Sequence, residues 1–142
     1  MAIKPAARKL RLLIADDNPD TIRLLTLLLQ TAGHTVISAA SGREALARLA
    51  SETADMILLD VMMPDMDGFG VLEEVRKTSS APILMLTALS DRAAVERGFQ
   101  LGADDYVVKP FSPDQLFARL ERLTSLLPPP EKSAAAPADS AG

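Results

Sequence analysis

The sequence contains no cysteine. That excludes disulfide scaffolds, thiolate metal sites, redox CxxC motifs and a cysteine nucleophile, and it fits a reducing compartment. It holds a single histidine, His34, so a multi-histidine zinc site is excluded and a Ser-His-Asp triad is open only through that residue. Positive charge is outnumbered: 15 Lys and Arg against 19 Asp and Glu leave a net charge of -4. A chain with that balance does not work by wrapping nucleic acid or an anionic membrane, both of which need a basic face. No apolar run approaches the roughly 18–20 residues that span a bilayer. The opening residues are basic, as a leader's would be, but the apolar stretch behind them, Leu12–Ala15, is too short and runs into Asp16 and Asp17. The expected location is the cytoplasm, with neither nucleic acid nor membrane as a direct partner.

What is present is 142 residues with 48% hydrophobic and 24% charged side chains, the composition and size of one globular domain. Residues 1–9 read as a basic, flexible lead-in. Residues 128–142 hold four of the ten prolines and no large apolar side chain. Such a stretch cannot bury enough surface to offset its chain entropy and reads as a flexible tail or linker. One folded unit, 10–127, lies between.

Within it, short apolar runs alternate with helical patterns. Strands are expected at Leu10–Ala15, His34–Ala39, Asp55–Asp60, Pro82–Thr87 and Asp105–Lys109. The first, third and fourth are nearly continuous apolar runs, as strands covered on both faces of a parallel sheet must be. The second is thinner and suits an edge. Asn18-Pro19 and Ser112-Pro113 each set a capping side chain before a proline that fits the first helical turn. Ser41 with Glu44, and Ser112 with Gln115, have capping-box spacing, and Gly33 marks a left-handed helix stop. Leu116, Leu120, Leu123 and Leu127 form one core-facing stripe. The fourth helix has few large anchors: Ala93, Ala94, Val95 and Phe99 are its core candidates, and low local stability is expected there. His34, beside a turn and without a carboxylate partner, reads as a surface residue. Five strand–helix units predict a three-layer α/β sandwich with right-handed crossovers.

Ligands of such folds gather at the carboxyl ends of the strands. Asp16 and Asp17 close the first strand, Asp60 the third, Thr87 the fourth and Lys109 the fifth. Taken singly, each has an ordinary explanation: a helix-favouring charge, a turn residue, a β-branched strand residue, a solvated lysine. Their joint placement is what carries weight. Three crowded carboxylates repel one another, and a hard divalent cation, Mg²⁺ above all, relieves the repulsion. With Lys109 and a hydroxyl nearby, the set forms a clamp for a phosphoryl group, one of the carboxylates serving as nucleophile.

The segments Leu13–Asp17, Ile57–Gly68, Pro82–Ala88 and Gly102–Phe111 resemble the response-regulator receiver domain of two-component signalling, over nearly the whole folded part. The fourth and fifth units are most similar to receivers of winged-helix transcriptional regulators. The resemblance implies a flavodoxin-like fold with strand order 2-1-3-4-5 and a switch rather than an enzyme. Such a switch would assist its own phosphorylation and dephosphorylation. Asp60 would accept the phosphoryl group from a sensor histidine kinase, a phosphotransfer protein or a small acyl phosphate. Asp16, Asp17, Asp60 and the backbone carbonyl of Met62 would hold Mg²⁺. Lys109 would pair with Asp60 and then with the phosphoryl group; Thr87 would donate its hydroxyl to it. Tyr106 would be the switch aromatic, and the Lys109–Pro110 bond would be cis.

The added charge and acceptors of a phosphoryl group would draw Thr87 inward, let Tyr106 fill the vacated space and reshape the face of the fourth helix, fifth strand and fifth helix. The resemblance to receivers of winged-helix regulators implies that this face would pair two copies in a phosphorylation-dependent homodimer held by salt bridges. Asp105 and Arg119 fit one link, whereas Val95 and Gln115 stand where a basic and an acidic residue are usual, so one pair is missing. Met62 and Leu89 flank the site with side chains that cannot orient a water, which predicts slow self-dephosphorylation. The effector stays open: the chain reads as a stand-alone receiver or as the receiver segment of a larger regulator. A phosphatase of the haloacid-dehalogenase type would place its second acid two residues after the nucleophile. Here Asn18 and Pro19 follow the first aspartates, and Asp65-Met66-Asp67 lies beyond a Met-Pro turn. A receiver that binds partners without phosphorylation lacks one or more site residues; here all are present.

Overall fold

Five apolar runs pair into one parallel sheet. In the computed structural model, which describes residues 3–88 and 92–129, the elements follow the chain in strict alternation. They are β1 (Arg11–Ala15), α1 (Pro19–Thr31), β2 (Thr35–Ala39), α2 (Gly42–Ser51), β3 (Met56–Asp60), α3 (Gly68–Arg76), β4 (Ile83–Thr87), α4 (Arg92–Gln100), β5 (Asp105–Val108) and α5 (Pro113–Thr124). The strand order is β2-β1-β3-β4-β5. The expected three-layer α/β sandwich with this order is therefore the observed fold.

Successive side chains of a strand point to opposite faces, and this divides the core. Leu12, Ile14, Leu58, Leu84 and Leu86 pack with Leu25, Leu28 and Leu29 of α1 and with Leu116, Leu120 and Leu123 of α5. Leu13, Ala15, Ile57, Leu59, Ile83 and Met85 face the other way, against Ala45 of α2 and Phe69, Val71, Leu72 and Val75 of α3. Each buried leucine contributes about 1.5–3 kcal/mol of transfer free energy. Every residue of β3 and β4 is buried, whereas β2 and β5, at the edges, alternate.

The first four strands begin one residue later than their apolar runs suggest, whereas β5 begins at Asp105 as expected and ends one residue earlier. Leu10 shows why: its amide is taken by the His34 ring instead of a ladder partner. Pro82 has no amide to give the sheet. Both proline-started helices are capped as expected, Asn18 accepting from the Asp20 amide and Ser112 exchanging both capping-box bonds with Gln115. The Ser41 box differs. Ser41 Oγ accepts from the Glu44 amide at 3.1 Å, but the Glu44 carboxylate returns to the amide of Ala40, at 2.8 Å, one residue earlier. Gly33 and Gly102, at φ +105° and +112°, end α1 and α4 in the conformation that glycine alone adopts without strain.

Two expectations are corrected. His34 is not a surface residue: it is 9% exposed and its Nδ1 accepts the Leu10 amide at 3.0 Å. A backbone donor satisfies the ring where the absence of a carboxylate had pointed to solvent. In α4, Ala93 and Phe99 are exposed and Ala94 and Val95 half-buried; Gly98 is the buried residue of that helix. The helix turns a small-residue face inward, so its apolar anchorage is thinner than expected. Residues 3–9 lie along the α1–α5 side, with the Ala6 amide donating to the Ala32 carbonyl at 2.9 Å and Ile3 against the leucine cluster. The expected tail lies, from residue 130 on, outside the described residues. Among those described, no helix is long and apolar enough to cross a membrane.

Candidate functional site

Strand register brings the polar residues together. Ala15 pairs with Leu59, Asp60 with Leu86 and Thr87 with Val108. Asp16, Asp60, Thr87 and Lys109 therefore emerge side by side at the carboxyl edge, where the parallel strands end. Asp16 is fully buried, Asp60 and Thr87 nearly so, and Asp17 is exposed. Oxygens of Asp16, Asp17 and Asp60 lie within 4.8 Å of one another.

Each acid is held in its own way. The Asp16 amide donates to the Ala39 carbonyl at 3.1 Å. Its Oδ1 accepts the Asn18 amide at 2.9 Å and its Oδ2 accepts Lys109 Nζ at 2.7 Å. Lys109 lies 3.4 Å from Asp60 Oδ1, so the lysine expected to pair with Asp60 is shared and sits closer to Asp16. Burial raises the Asp60 carboxyl above its ordinary range, and the Asp16 charge adds to the rise; Lys109 and the Met62 amide oppose it. For Lys109, burial alone would lower the ammonium, but the hydrogen bond to Asp16 and the charges of Asp60 and Asp16 outweigh it, and the net direction is up. An acidic site that resists full ionisation on its own is one that favours an added cation.

The donor set fits magnesium. Two oxygens bound at about 2.1 Å in an octahedron lie about 3 Å apart when adjacent and about 4 Å apart when opposite, so the three carboxylates need close by at most about 2 Å. All are hard oxygen donors, with no thiolate or imidazole among them. Met62 is 59% exposed, and because its thioether is a soft donor, its backbone carbonyl is the group suited to the set.

Beyond the acids, the Lys109–Pro110 peptide is cis. Tyr106 is half-buried and stands edge-on to Phe99, with ring centroids 6.0 Å apart. A small cavity of about 20 Å³ separates α4 from the sheet and is lined by Thr87, Tyr106, Met85, Val61 and Ala94 among others. Leu89, expected to flank the site, lies outside the described residues.

Three residues contribute to the site in ways that the sequence reading did not assign to them. Gly68 lets the loop after β3 fold back: a Cβ there would stand 2.4 Å from the Asp60 carbonyl oxygen, and its amide donates to Val61 at 2.8 Å. The Asp67-Gly68 pair was its visible signal. Asn18, read only as a helix cap, also orients Asp16 through its amide. Asp65 crosses to another helix, for which adjacent residues carry no signal. On the other face of β5, Asp105 accepts Arg119 at 3.2 Å and Arg122 at 3.5 Å within the same chain. The residues expected to link two copies are thus joined inside one.

Known proteins share this fold. Residues 12–121 match the family model of the response regulator receiver domain. A probable transcriptional regulator, ycf27, of Porphyridium aerugineum is 50% identical over 113 residues, covering 80% of this chain and 47% of that protein. The regulatory protein VanRc of Enterococcus gallinarum is 41% identical over 111 residues, covering 78% and 48%. The chain spans about half the length of the curated relatives it matches. Among solved structures, the chemotaxis protein CheY4 of Vibrio cholerae superposes with TM-score 0.78 at 38% identity, covering 82% of this chain and 99% of that one. A putative response regulator of Chloroflexus aurantiacus gives TM-score 0.78 at 40% identity, covering 83% and 99%.

Proposed function

The chain belongs to the response regulator receiver domain family, and from that membership we propose that Asp60 is the acceptor of a phosphoryl group passed to it by a sensor histidine kinase or a phosphotransfer protein in the cytoplasm. The receiver is a phosphorylation-dependent switch of two-component signalling. What carries the assignment to particular residues is one observation: the oxygens of Asp16, Asp17 and Asp60 converge within 4.8 Å, with Lys109 spanning two of them.

An Asp60 carboxylate oxygen attacks the phosphorus of a phosphohistidine. The O–P bond forms as the P–N bond breaks, and the electron pair returns to the imidazole nitrogen, which takes a proton from solvent. Lys109 swings its ammonium from the carboxylates to the incoming phosphoryl oxygens, and Thr87 donates its hydroxyl to another. Asp16, Asp17, Asp60 and the Met62 carbonyl would hold Mg²⁺, which when bound neutralises charge between the acids and the phosphoryl group. Ionisation of Asp60, opposed by burial, is what that charge makes favourable.

The output follows from the cavity beneath α4. Thr87, drawn to the phosphoryl group, frees room for the Tyr106 ring, which leaves Phe99 and changes the α4–β5–α5 face. α4 has the fewest apolar anchors and yields first. Pairing of two copies on this face belongs to the same reading; it requires Arg119 and Arg122 to exchange their bond to Asp105 for one across the interface. Relatives with regulator names favour a transcriptional effector controlled by this face. Met62, exposed and unable to orient water, favours a long-lived acyl phosphate, which a phosphate-release time course measures.

Intact mass after incubation with Mg²⁺ and a small acyl phosphate tests the assignment. One phosphoryl adduct on the wild type, absent without Mg²⁺ and absent from Asp60→Asn, is the expected result. An adduct that survives in Asp60→Asn overturns it.

A further inference from the structure

The loop between β3 and α3, residues 61–67, places Met62 beside the acceptor, and two of its side chains end on helix N-termini. Asp67 caps the helix that follows it, Oδ1 accepting the Gly70 amide at 2.9 Å. Asp65 reaches elsewhere. Its Oδ1 accepts the Gly42 amide at 3.1 Å and its Oδ2 the Arg43 amide at 2.9 Å, across 23 and 22 residues of chain.

Those amides open α2, where no intrahelical acceptor exists for them; the third, of Glu44, is taken by Ser41. A carboxylate at this helix end is favoured by both hydrogen bonding and the helix dipole. The Arg43 amide, first among the backbone donors, holds the Asp65 carboxyl below its ordinary range. A separate feature serves the same contact. A Cβ on Gly42 would stand 2.6 Å from the Met66 carbonyl oxygen and 2.9 Å from Val71, so only glycine lets the loop backbone close this tightly on the helix.

The beginning of α2 is in turn tied to the first acid. The Asp16 amide donates to Ala39, just before the helix, and the Ala40 amide to Glu44 on it. A closed circuit runs from Asp16 through Ala39 to the start of α2, across Asp65 to the loop, and back along the loop to Asp60. Lys109, whose side chain also joins the first acid to Asp60, is displaced in the proposed reaction, whereas the Asp65 bonds to α2 are not part of it.

We propose that Asp65 is a positioning residue for the Mg²⁺-dependent step: by clamping residues 61–67 onto α2 it sets the Met62 carbonyl and Asp60 against Asp16 and Asp17. The proposal rests on the reading of the site given above. Residues that orient metal ligands without touching the metal typically change affinity by about 10-fold or more when lost. Because the clamp acts on ligand placement, its loss is felt in Mg²⁺ affinity and far less in the rate at saturating Mg²⁺.

The experiment titrates Mg²⁺ alone into wild type, Asp65→Ala, Asp65→Asn and Gly42→Ala, followed by the amide resonances of Asp17 and Val61. Phosphorylation by a small acyl phosphate is then measured against Mg²⁺ concentration. Expected are an affinity about 10-fold weaker in Asp65→Ala, an unchanged rate at saturation, partial recovery in Asp65→Asn, whose one oxygen keeps one bond, and weakening in Gly42→Ala. Should Asp65→Ala not fold, Asp65→Asn and Gly42→Ala carry the comparison. Lower thermal stability with unchanged Mg²⁺ affinity overturns the clamp. So does Asp65→Asn matching Asp65→Ala with both losses vanishing at high salt, the signature of a long-range charge. A wild type that neither binds Mg²⁺ nor gains a phosphoryl group brings down the site reading itself; a wild type that does both, beside an unaffected Asp65→Ala, brings down the clamp alone.

Discussion

Lys109 Nζ stands 2.7 Å from Asp16 Oδ2 and 3.4 Å from Asp60 Oδ1, so one ammonium compensates two buried carboxylates, one just past the end of β1 and one at the end of β3. Removing one partner of such a buried group leaves charge uncompensated, at a cost of about 3–5 kcal/mol. Lys109→Met is therefore expected to lose about 3 kcal/mol of stability in the absence of divalent cations, with much of the loss restored by Mg²⁺. Urea unfolding with and without Mg²⁺ measures both; a loss that Mg²⁺ leaves untouched would place the role of Lys109 in packing.

Asp60 is expected to cost the fold stability. Its carboxyl is raised in the folded state, first by burial and then by Asp16, so between the ordinary value of 3.8 and the raised one the folded chain binds more protons than the unfolded chain. Stability then falls as pH rises through that window. At neutral pH Asp60→Asn should be more stable than wild type, by about 1 kcal/mol or roughly 4 °C, as is usual where an active site departs from the best packing. Saturating Mg²⁺ should narrow the difference. Thermal melts of the pair at neutral pH decide it, and a less stable Asp60→Asn would count against the repulsion.

His34 works in the opposite sense. Its Nδ1 must be unprotonated to accept the Leu10 amide, and burial, helped by the Lys9 charge, lowers it below 6.5. The unfolded chain then binds more protons in the window between the lowered value and 6.5. The contribution is fully present above that window and is lost as pH falls through it. Melts between about pH 8 and pH 5 should show the decline in wild type. In His34→Gln, whose side-chain oxygen still accepts a bond, that part of the decline should vanish. A parallel pH course in both proteins would clear His34 of the effect.

Tyr106 is the one tyrosine, and tryptophan is absent, so its fluorescence reports a single ring. It borders the same small cavity as Thr87. Phosphorylation of the wild type should change that signal, whereas Thr87→Ala should still accept the phosphoryl group, confirmed by mass, and leave the signal near its starting value. A full fluorescence change in Thr87→Ala would uncouple the two residues.

The apolar runs, the Asn18 and Ser112 caps and the strand-end polar residues were all legible because each is a local pattern. A strand covered on both faces must be apolar throughout, and a helix must find acceptors for its first amides, wherever the element finally lies. The edge position of β2 was legible for the same reason, in the thinness of its run. The order of the strands came through the resemblance of the motifs.

Other facts depended on what packing brings near. The absence of a carboxylate beside His34 pointed to solvent, because its true partner is the backbone of Leu10, 24 residues away. Phe99 looked like an anchor until Gly98 took the inward face of α4. The intrachain pairing of Asp105 with Arg119 was likewise not written in either residue's neighbours. The sequence alone determined which chemistry is available: carboxylates, one lysine and one hydroxyl at the ends of buried strands, with nothing softer to compete. Only the tertiary structure decided which carboxylate the lysine prefers and that Asp65 ties the acceptor loop to α2. Side-chain pairing across a parallel sheet is set by register and by the approach of loops distant in the chain, and no pattern of neighbouring residues contains either.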